Sequence, residues 1–321
     1  MDYRAQLANL NTAWKAKWED LLERPEAGLS NLFTMTESTE GGSTVDLSFM
    51  GPTPEVKEFA GEKEFDAVRM YSFSATVTMK TANLEMNGLD IRTDKGGVIG
   101  RMLDRFARKA IGFRDKLVTE SLVSASGEGP DGYDGVNVIN DSHPHGPAAG
   151  TQDNKTTDAL TIGSYEAGHI AMGEFRNENG EPLHRTPTHL MVGPKKKKAA
   201  LEITQSKDRV AAISVAGVEA TASVTSAASI ENVFTTYGGG SCDVIVNPRL
   251  VSTQDDYWYL MDLSNPSELP MLWVESRAPT LVPNVDLDSG PRFSRDAYQW
   301  SIEMDAKVTA GVWHSIYAGI L

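Results

Sequence analysis

Residues 97–125 constrain the fold of this chain more than any other stretch. Ile99, Met102, Leu103, Phe106, Ala110, Ile111, Leu117, Ser121 and Leu122 recur at steps of three and four, which places them on one stripe of a helix. Thr93 or Asp94 can cap its start and Gly127 can end it. At 1.5 Å per residue such a helix is a rod of roughly 40 Å, well beyond the usual length of about 11–12 residues. Its other faces carry Arg101, Arg105, Arg108, Lys109, Arg114 and Lys116 against Asp104, Asp115 and Glu120. The spacing therefore predicts one long basic rod. The protein that contains it is acidic, with 44 Asp and Glu against 30 Lys and Arg and a formal net charge of −14.

That charge balance excludes sequence-independent DNA binding by the whole surface, which needs clustered cations. The one cysteine, Cys242, lies in a strand-like run and cannot close an internal disulfide, so it reads as a small buried hydrophobe and fits a reducing compartment. The first residues show neither a basic n-region nor an apolar core of a secretory signal. No run approaches the length of a membrane span.

Ahead of the rod, residues 2–24 read as an amphipathic helix through Tyr3, Leu7, Leu10, Trp14, Trp18 and Leu21, stopped by Pro25 and Gly28. Its two tryptophans need cover, either from their own core or from a neighbouring subunit. Residues 29–44 are polar and read as a flexible linker. Alternation then predicts strands. Val45, Leu47 and Phe49 share one face, as do Tyr71, Phe73, Ala75, Val77 and Met79. Between them lie Pro52, Pro54 and Gly61 with Lys57, Phe59 and Lys63, so the pair reads as a long hairpin arm with a charged, proline-bearing tip. An isolated hairpin is marginal in water, so this one is expected to lean on a neighbouring chain.

After the rod come glycine-rich loops, a short helix over 164–176 and a strand at 188–192. A helix opening on Lys195, Lys196, Lys197 and Lys198 follows, although the N-terminal end of a helix disfavours cations. These lysines are expected to pair with carboxylates of an adjacent subunit, Asp255 and Asp256 being plausible ones, or with phosphates. Strands are predicted at 242–246 and 257–261. A terminal strand pair through Trp300, Ile302, Met304, Val308 and Val312 bends at Gly311. No β-α-β rhythm and no repeat is present, so the fold class is α+β.

Catalytic motifs are missing. Gly238-Gly-Gly-Ser241 lacks the lysine and spacing of a phosphate loop. His143-Pro-His145, with Asp141 and the distant His184 and His189, is the one metal-like grouping, and it falls short of a four-coordinate site. No catalytic residue, cofactor or metal site is predicted.

The pieces in order resemble the Mu-like phage major head subunit family, which has the Hong Kong 97-type major capsid fold of tailed bacteriophages. The residues that carry this are Met50-Gly-Pro-Thr-Pro-Glu-Val-Lys-Glu-Phe-Ala-Gly-Glu-Lys63, the acidic segment 84–97 with Asp90 and Asp94, and Asp134-Gly-Val followed by Asp141-Ser-His-Pro144. Further on come Asn247-Pro-Arg-Leu250, Tyr257-Trp-Tyr-Leu260 and Pro270-Met-Leu272. The resemblance implies an N-terminal arm over 1–44, an extended E-loop over 45–83, and a peripheral domain over 84–185 with its spine helix at 97–125. It also implies an axial domain over 186–270 and peripheral return strands over 271–321. The implied function is a non-enzymatic, virion-borne major capsid protein of Caudoviricetes. It would assemble in the host cytoplasm into pentamers and hexamers of an icosahedral shell around double-stranded DNA.

The subunit-interface candidates on this reading are Trp14, Trp18, Pro54, Lys57, Phe59, Lys63, Arg101, Arg105, Arg108 and Lys195 to Lys198, with the basic rod meeting acidic neighbours. A separate scaffolding protein is expected, because the chain starts at Met1 without a coiled-coil prefix, together with a portal and a decoration protein. Two rivals share parts of this evidence. One is an encapsulin-type compartment of the same fold, and the other a metal-dependent hydrolase around His143, His145 and Asp141.

Overall fold

The computed structural model of the chain describes residues 12, 14–16, 18–20, 28–39, 44–50, 70–93, 97–124, 127–144, 150–177, 179–206, 208–211, 228–232, 241–284 and 290–321. In chain order the first strands are β1 Thr34–Ser38, β2 Thr44–Met50, β3 Met70–Thr76 and β4 Thr78–Asn87. The helices α1 Gly88–Thr93, α2 Val98–Ile111 and α3 Phe113–Val123 come next. The middle of the chain holds the short strands β5 His143–Pro144, β6 Thr151–Gln152 and β7 Lys155–Thr156, then α4 Ile162–Glu174, β8 His189–Val192 and α5 Lys197–Thr204. β9 Asp208–Ala211, β10 Ala228–Glu231, β11 Asp243–Val246 and β12 Trp258–Met261 lead to the long β13 Met271–Asn284. α6 Gly290–Arg295, β14 Ala297–Ala310 and β15 Ile316–Gly319 end the chain. Contacts divide it into two compact units, 1–49 with 71–121 and 271–309, and 50–70 with 122–270 and 310–321.

The expected single rod is two helices. Gly112 separates α2 from α3, although its N–H still donates to Arg108 O (2.9 Å) and its carbonyl accepts from Lys116 N (3.1 Å). Glycine costs about 1 kcal/mol inside a helix, which is why the interruption falls there. Thr93 does not cap α2. It ends α1, its hydroxyl donating to Leu89 O. The buried face also has a different phase from the predicted stripe. Ile99, Leu103 and Ala107 are buried, whereas Met102 is 47% exposed.

In the first unit α2 lies on a four-stranded sheet of order β1-β13-β14-β4. β4 and β14 run antiparallel in register from Thr78↔Ala306 to Asn87↔Ala297. Alternation along β14 buries Trp300, Ile302, Met304, Ala306 and Val308. Trp14 packs with Ile99, Leu103, Met86, Tyr298 and Trp300, and Trp18 with Ala107 and Ile302. Of the two covers weighed from sequence, the structure shows the chain's own core. Both tryptophans are almost fully buried, covered by apolar residues of α2 and β14.

Residues 29–44 are not a plain linker. Leu29–Leu32 forms a 3-10 turn, Phe33 is buried, and β1 pairs in parallel with β13 from Thr34↔Met271 to Ser38↔Glu275. Serine and threonine mask in composition what β-branched Thr34 and Thr36 support in a strand. The β2–β3 hairpin exists, and its base leans on its own chain. Val45 and Leu47 form one cluster with Ala75, Val77, Leu272 and Val274. The hairpin tip, with Pro54, Lys57, Phe59 and Lys63, lies outside the described residues.

The second unit holds a mixed five-stranded sheet of order β11-β8-β12-β15-β7. β8 is parallel to β11 and antiparallel to β12, while β12 is antiparallel to β15. Trp258, Tyr259, Leu260 and Met261 are all buried, the continuous apolar pattern of a strand covered on both faces. Helix α4 packs against β15, and α5 against β11 and β8. α4 begins on a capping box in which Thr161 and Ser164 exchange side-chain and backbone bonds. The terminal strands do not pair with each other. β14 joins the sheet of the first unit, and β15 inserts between β12 and β7, because Gly311 donates to Pro270 O instead of closing a hairpin.

Candidate functional site

α2 presents two opposite faces. Ile99, Leu103 and Ala107 point to the core, while Val98, Arg101, Met102, Arg105, Arg108 and Lys109 are exposed. The candidate cations Arg101, Arg105 and Arg108 thus occupy the solvent side. The next arginine behaves differently. Arg114 of α3 sits over the Trp273 ring at 5.3 Å and donates to Thr36 Oγ1 at 2.6 Å. Burial pulls its guanidinium below its ordinary value, with Glu275 opposing. Beside it Asp115 accepts from Ser30 N at 2.8 Å. This pair fastens residues 28–38 to α3 and β13. Sequence reasoning placed Arg114 on the solvated face. Nothing in its sequence surroundings set it apart, because Thr36 and Trp273 are far from it along the chain.

The four lysines are placed at the start of α5, as expected, but their partners belong to the same chain. Lys196 Nζ lies 2.9 Å from Asp256 Oδ1, and Lys195 Nζ lies 3.6 Å from Asp255 and 3.9 Å from Asp256. The hydrogen bond and charge of Lys196 hold the Asp256 carboxyl below its usual range. Lys198 pairs with Glu202 one turn on, at 3.5 Å. Asp255 and Asp256, the carboxylates named from the sequence, thus already meet Lys195 and Lys196 within one chain. The loop after β11 returns Asp255 and Asp256 to the helix start and offsets the dipole penalty locally. Lys197 and Lys198 border an open groove with Leu201, Glu202, Gln205 and Ser206.

His143 is fully buried. Its Nδ1 lies 2.6 Å from Asp134 Oδ2 and its Nε2 3.2 Å from Asn154 Oδ1, and the ring stacks on Trp313 at 4.0 Å and 5°. The Asn154 amide NH2 faces the carbonyls of Val138, Trp313 and Ile316, and its oxygen accepts from Asn140 N. Both nitrogens of His143 are thus taken by protein groups. The metal-dependent hydrolase loses the ligand it rested on. Asp141 is exposed, His189 sits in β8 beside Thr188, and His145 lies outside the described residues. Among the described residues no group of three His, Cys, Asp or Glu side chains has the arrangement of a metal site.

Cys242 is buried, with Sγ 3.4 Å from Pro187 O and 3.7 Å from His169 Nε2. Burial pushes its thiol up to about 11 and pulls His169 down to about 4. A nucleophilic thiol needs the opposite shifts, so the pair is a packed polar contact and not a catalytic dyad. Arg185, nearly buried, is held between Asp262 at 3.7 Å and Glu268, and so ties the loop after β12 to the start of β8. Nothing in its sequence surroundings marked it. The site features are therefore surfaces and internal fasteners, with no pocket that combines a nucleophile, a base and a substrate cavity among the described residues.

The chain is a mixed helix-and-sheet protein of two units, with a hairpin and a helix pair in addition to its long-stranded sheet. The family described as phage capsid protein matches residues 72–319, and the chain belongs to that family. It is similar to the Mu-like prophage FluMu major head subunit of Haemophilus influenzae, with 26% identity over 145 residues, or 45% of this chain and 46% of the relative. The matched stretch thus spans about half the length of that curated relative. The fold is similar to that of a chain from the procapsid of bacteriophage JBD30, with a TM-score of 0.56, 16% identity, and coverage of 99% of this chain and 75% of that chain. It is also similar to a chain of the mature capsid of bacteriophage PhiM1, with a TM-score of 0.53, 13% identity, and coverage of 90% and 85%. No helix among the described residues is long and apolar enough to cross a membrane.

Proposed function

We propose that this protein is the major head subunit of a tailed bacteriophage. Many copies assemble into pentamers and hexamers of an icosahedral shell that encloses double-stranded DNA without reading its sequence. The observation that carries this reading is the phage capsid family match over residues 72–319. On this reading residues 1–44 are the N-terminal arm, 45–83 the E-loop and α2 with α3 the spine helix. Residues 84–185 and 271–321 form the peripheral domain, and 186–270 the axial domain of a Hong Kong 97-type subunit. The hairpin tip carrying Pro54, Lys57, Phe59 and Lys63 reaches a neighbouring subunit, and the base of the hairpin is held by Val45 and Leu47 packed with Leu272 and Val274. The role is structural and not enzymatic, and the encapsulin-type alternative is less well supported than a phage shell. Scaffolding, portal and decoration proteins are its assembly partners, the host cytoplasm the place of assembly and the virion the destination.

The test is sedimentation and electron microscopy of the protein expressed with and without its neighbouring head genes. Closed particles of megadalton mass that hold nucleic acid in the presence of the packaging machinery are expected. A protein that remains monomeric with its assembly partners present, or particles that enclose only a protein cargo, would overturn the reading.

A further inference from the structure

We infer that Asn179 is a site of spontaneous covalent modification in the folded protein, where the backbone nitrogen of Gly180 displaces the side-chain amide and leaves aspartate or isoaspartate. The inference is independent of the shell reading. The chain has two Asn-Gly pairs, Asn87-Gly88 and Asn179-Gly180. The residue after each asparagine has no Cβ, so nothing hinders the approach of its backbone nitrogen to the side-chain carbonyl carbon. Along the sequence the two pairs are equivalent. Both asparagines are exposed, so access of water does not separate them either. Their hydrogen bonds do.

Asn87 ends β4, opposite Ala297 of β14. Its Oδ1 accepts from Leu89 N at 2.8 Å, and Gly88 N donates to Asp296 O at 2.6 Å. A Cβ on Gly88 would lie 2.2 Å from Asp296 Oδ1, so the backbone there is tightly enclosed. Both reacting groups are held by neighbours, and the attacking nitrogen would have to leave a paired strand end to reach Cγ.

Asn179 sits in a turn closed by the bridge between Arg176 and Pro182. The turn is built on Asn177. Its Oδ1 accepts from Asn179 N at 2.9 Å and Glu181 N at 3.0 Å, and its Nδ2 donates to Glu181 Oε2 at 2.8 Å. The Asn179 carboxamide itself has no hydrogen-bond partner among the described residues. Gly180, at φ +87°, has open space where a Cβ would stand. Its nitrogen donates to Asn177 O at 2.9 Å. Exposed turns open at little cost in free energy, and that opening frees the nitrogen.

The step balances without a cofactor. Gly180 N bonds to Asn179 Cγ, the Cγ–Nδ2 bond breaks, and the amide proton leaves with Nδ2 as ammonia. Water then opens the five-membered imide at either of its carbonyls. One opening gives aspartate. The other gives isoaspartate, in which the chain runs through the former side chain. Either product adds a negative charge beside Glu181, and isoaspartate lengthens the backbone of the turn.

The test incubates the full-length protein at mildly alkaline pH, folded and in urea, and follows both Asn-Gly peptides by mass spectrometry. Labelling with a protein isoaspartyl methyltransferase assigns the isoaspartate. In urea the two sites should convert at similar rates. In the folded protein Asn179 should convert at least about tenfold faster than Asn87, the ratio that ~1.4 kcal/mol of protection gives. Gly180→Ala, in an exposed turn with room for the methyl group, should slow Asn179 and leave Asn87 unchanged. The inference fails if Asn87 converts as fast as Asn179 in the folded parent. It fails equally if Asn179 stays intact in the folded parent over a period in which urea converts both.

Discussion

Trp14→Ala should destabilise the isolated subunit before it affects any neighbour. The indole is 4% exposed and packs edge-on against Trp300, with centroids 5.6 Å apart at 84°, and at 6.4 Å from Phe106. Truncating a buried aromatic to alanine costs ~3–5 kcal/mol. About 0.5–1.5 kcal/mol of that belongs to the aromatic pair itself. The indole Nε1–H is buried without an acceptor among the described residues, a state that costs ~1–3 kcal/mol. Trp14→Phe removes that unsatisfied donor along with part of the bulk, so the two effects offset and the net loss should stay below about 1.5 kcal/mol. Both variants remove the unpaired nitrogen, so the contrast between Ala and Phe is set by the aromatic ring that Phe keeps against Trp300 and Phe106. Urea unfolding of the unassembled subunit, followed by far-UV circular dichroism, reads both. With a slope near ~2 kcal/mol per M, the Ala variant should lose about 1.5–2.5 M in midpoint and the Phe variant under about 1 M. A Trp14→Ala subunit that unfolds within about 0.5 M of the parent and yet cannot assemble would refute the reasoning and place the indole on a neighbouring copy.

Arg114→Ala should cost about 1–3 kcal/mol, from the stack on Trp273 and the bond to Thr36, and should raise hydrogen exchange in β1 before it does so in β14. Asp134→Ala leaves a ring nitrogen of the fully buried His143 without its partner, so a loss of ~1–3 kcal/mol and a change in Trp313 fluorescence are expected; an unchanged melt would contradict the buried pair. His169 is neutral in the fold, with its value lowered from 6.5 to about 4 by burial, so the unfolded chain binds the proton first as pH falls. The stability this residue contributes is complete above 6.5 and declines as pH drops from 6.5 through about 4; His169→Gln should flatten that part of the stability–pH curve. Because the Cys242 thiol is pushed up to about 11, iodoacetamide at a pH of about 8 should label the unfolded protein and spare the folded one, as intact mass would show.

Periodicity made the elements legible, because burying one face of a helix or strand imposes its spacing on the apolar residues. The hairpin strands through Val45 and Ala75, the buried run Trp258–Met261 and the helix through Ile99 and Leu103 follow from that alone. The ordered motifs around Met50, Asp134, Asn247 and Pro270 carried the family, which needs only order along the chain. The sequence by itself also implied that Cys242 packs as an inert hydrophobe, since it lies in the strand-like run 242–246 and has no second cysteine to pair with.

Partners across long sequence separations were decided only by the tertiary structure. The composition of 29–44 cannot tell that Thr34 meets Met271, or that Asp115 meets Ser30. The four lysines look unmatched until the loop after β11 brings Asp255 and Asp256 back to them. His143 looks like a ligand until Asp134 and Asn154 close on both of its nitrogens. Met102 shares the helical spacing of its buried neighbours, and only the docking of α2 on Trp14, Tyr298 and Trp300 sets which side of that helix faces the core. A helix has a face from its own period, but its direction is fixed by what the rest of the chain offers to cover it. That same docking leaves Arg101, Arg105 and Lys109 outside.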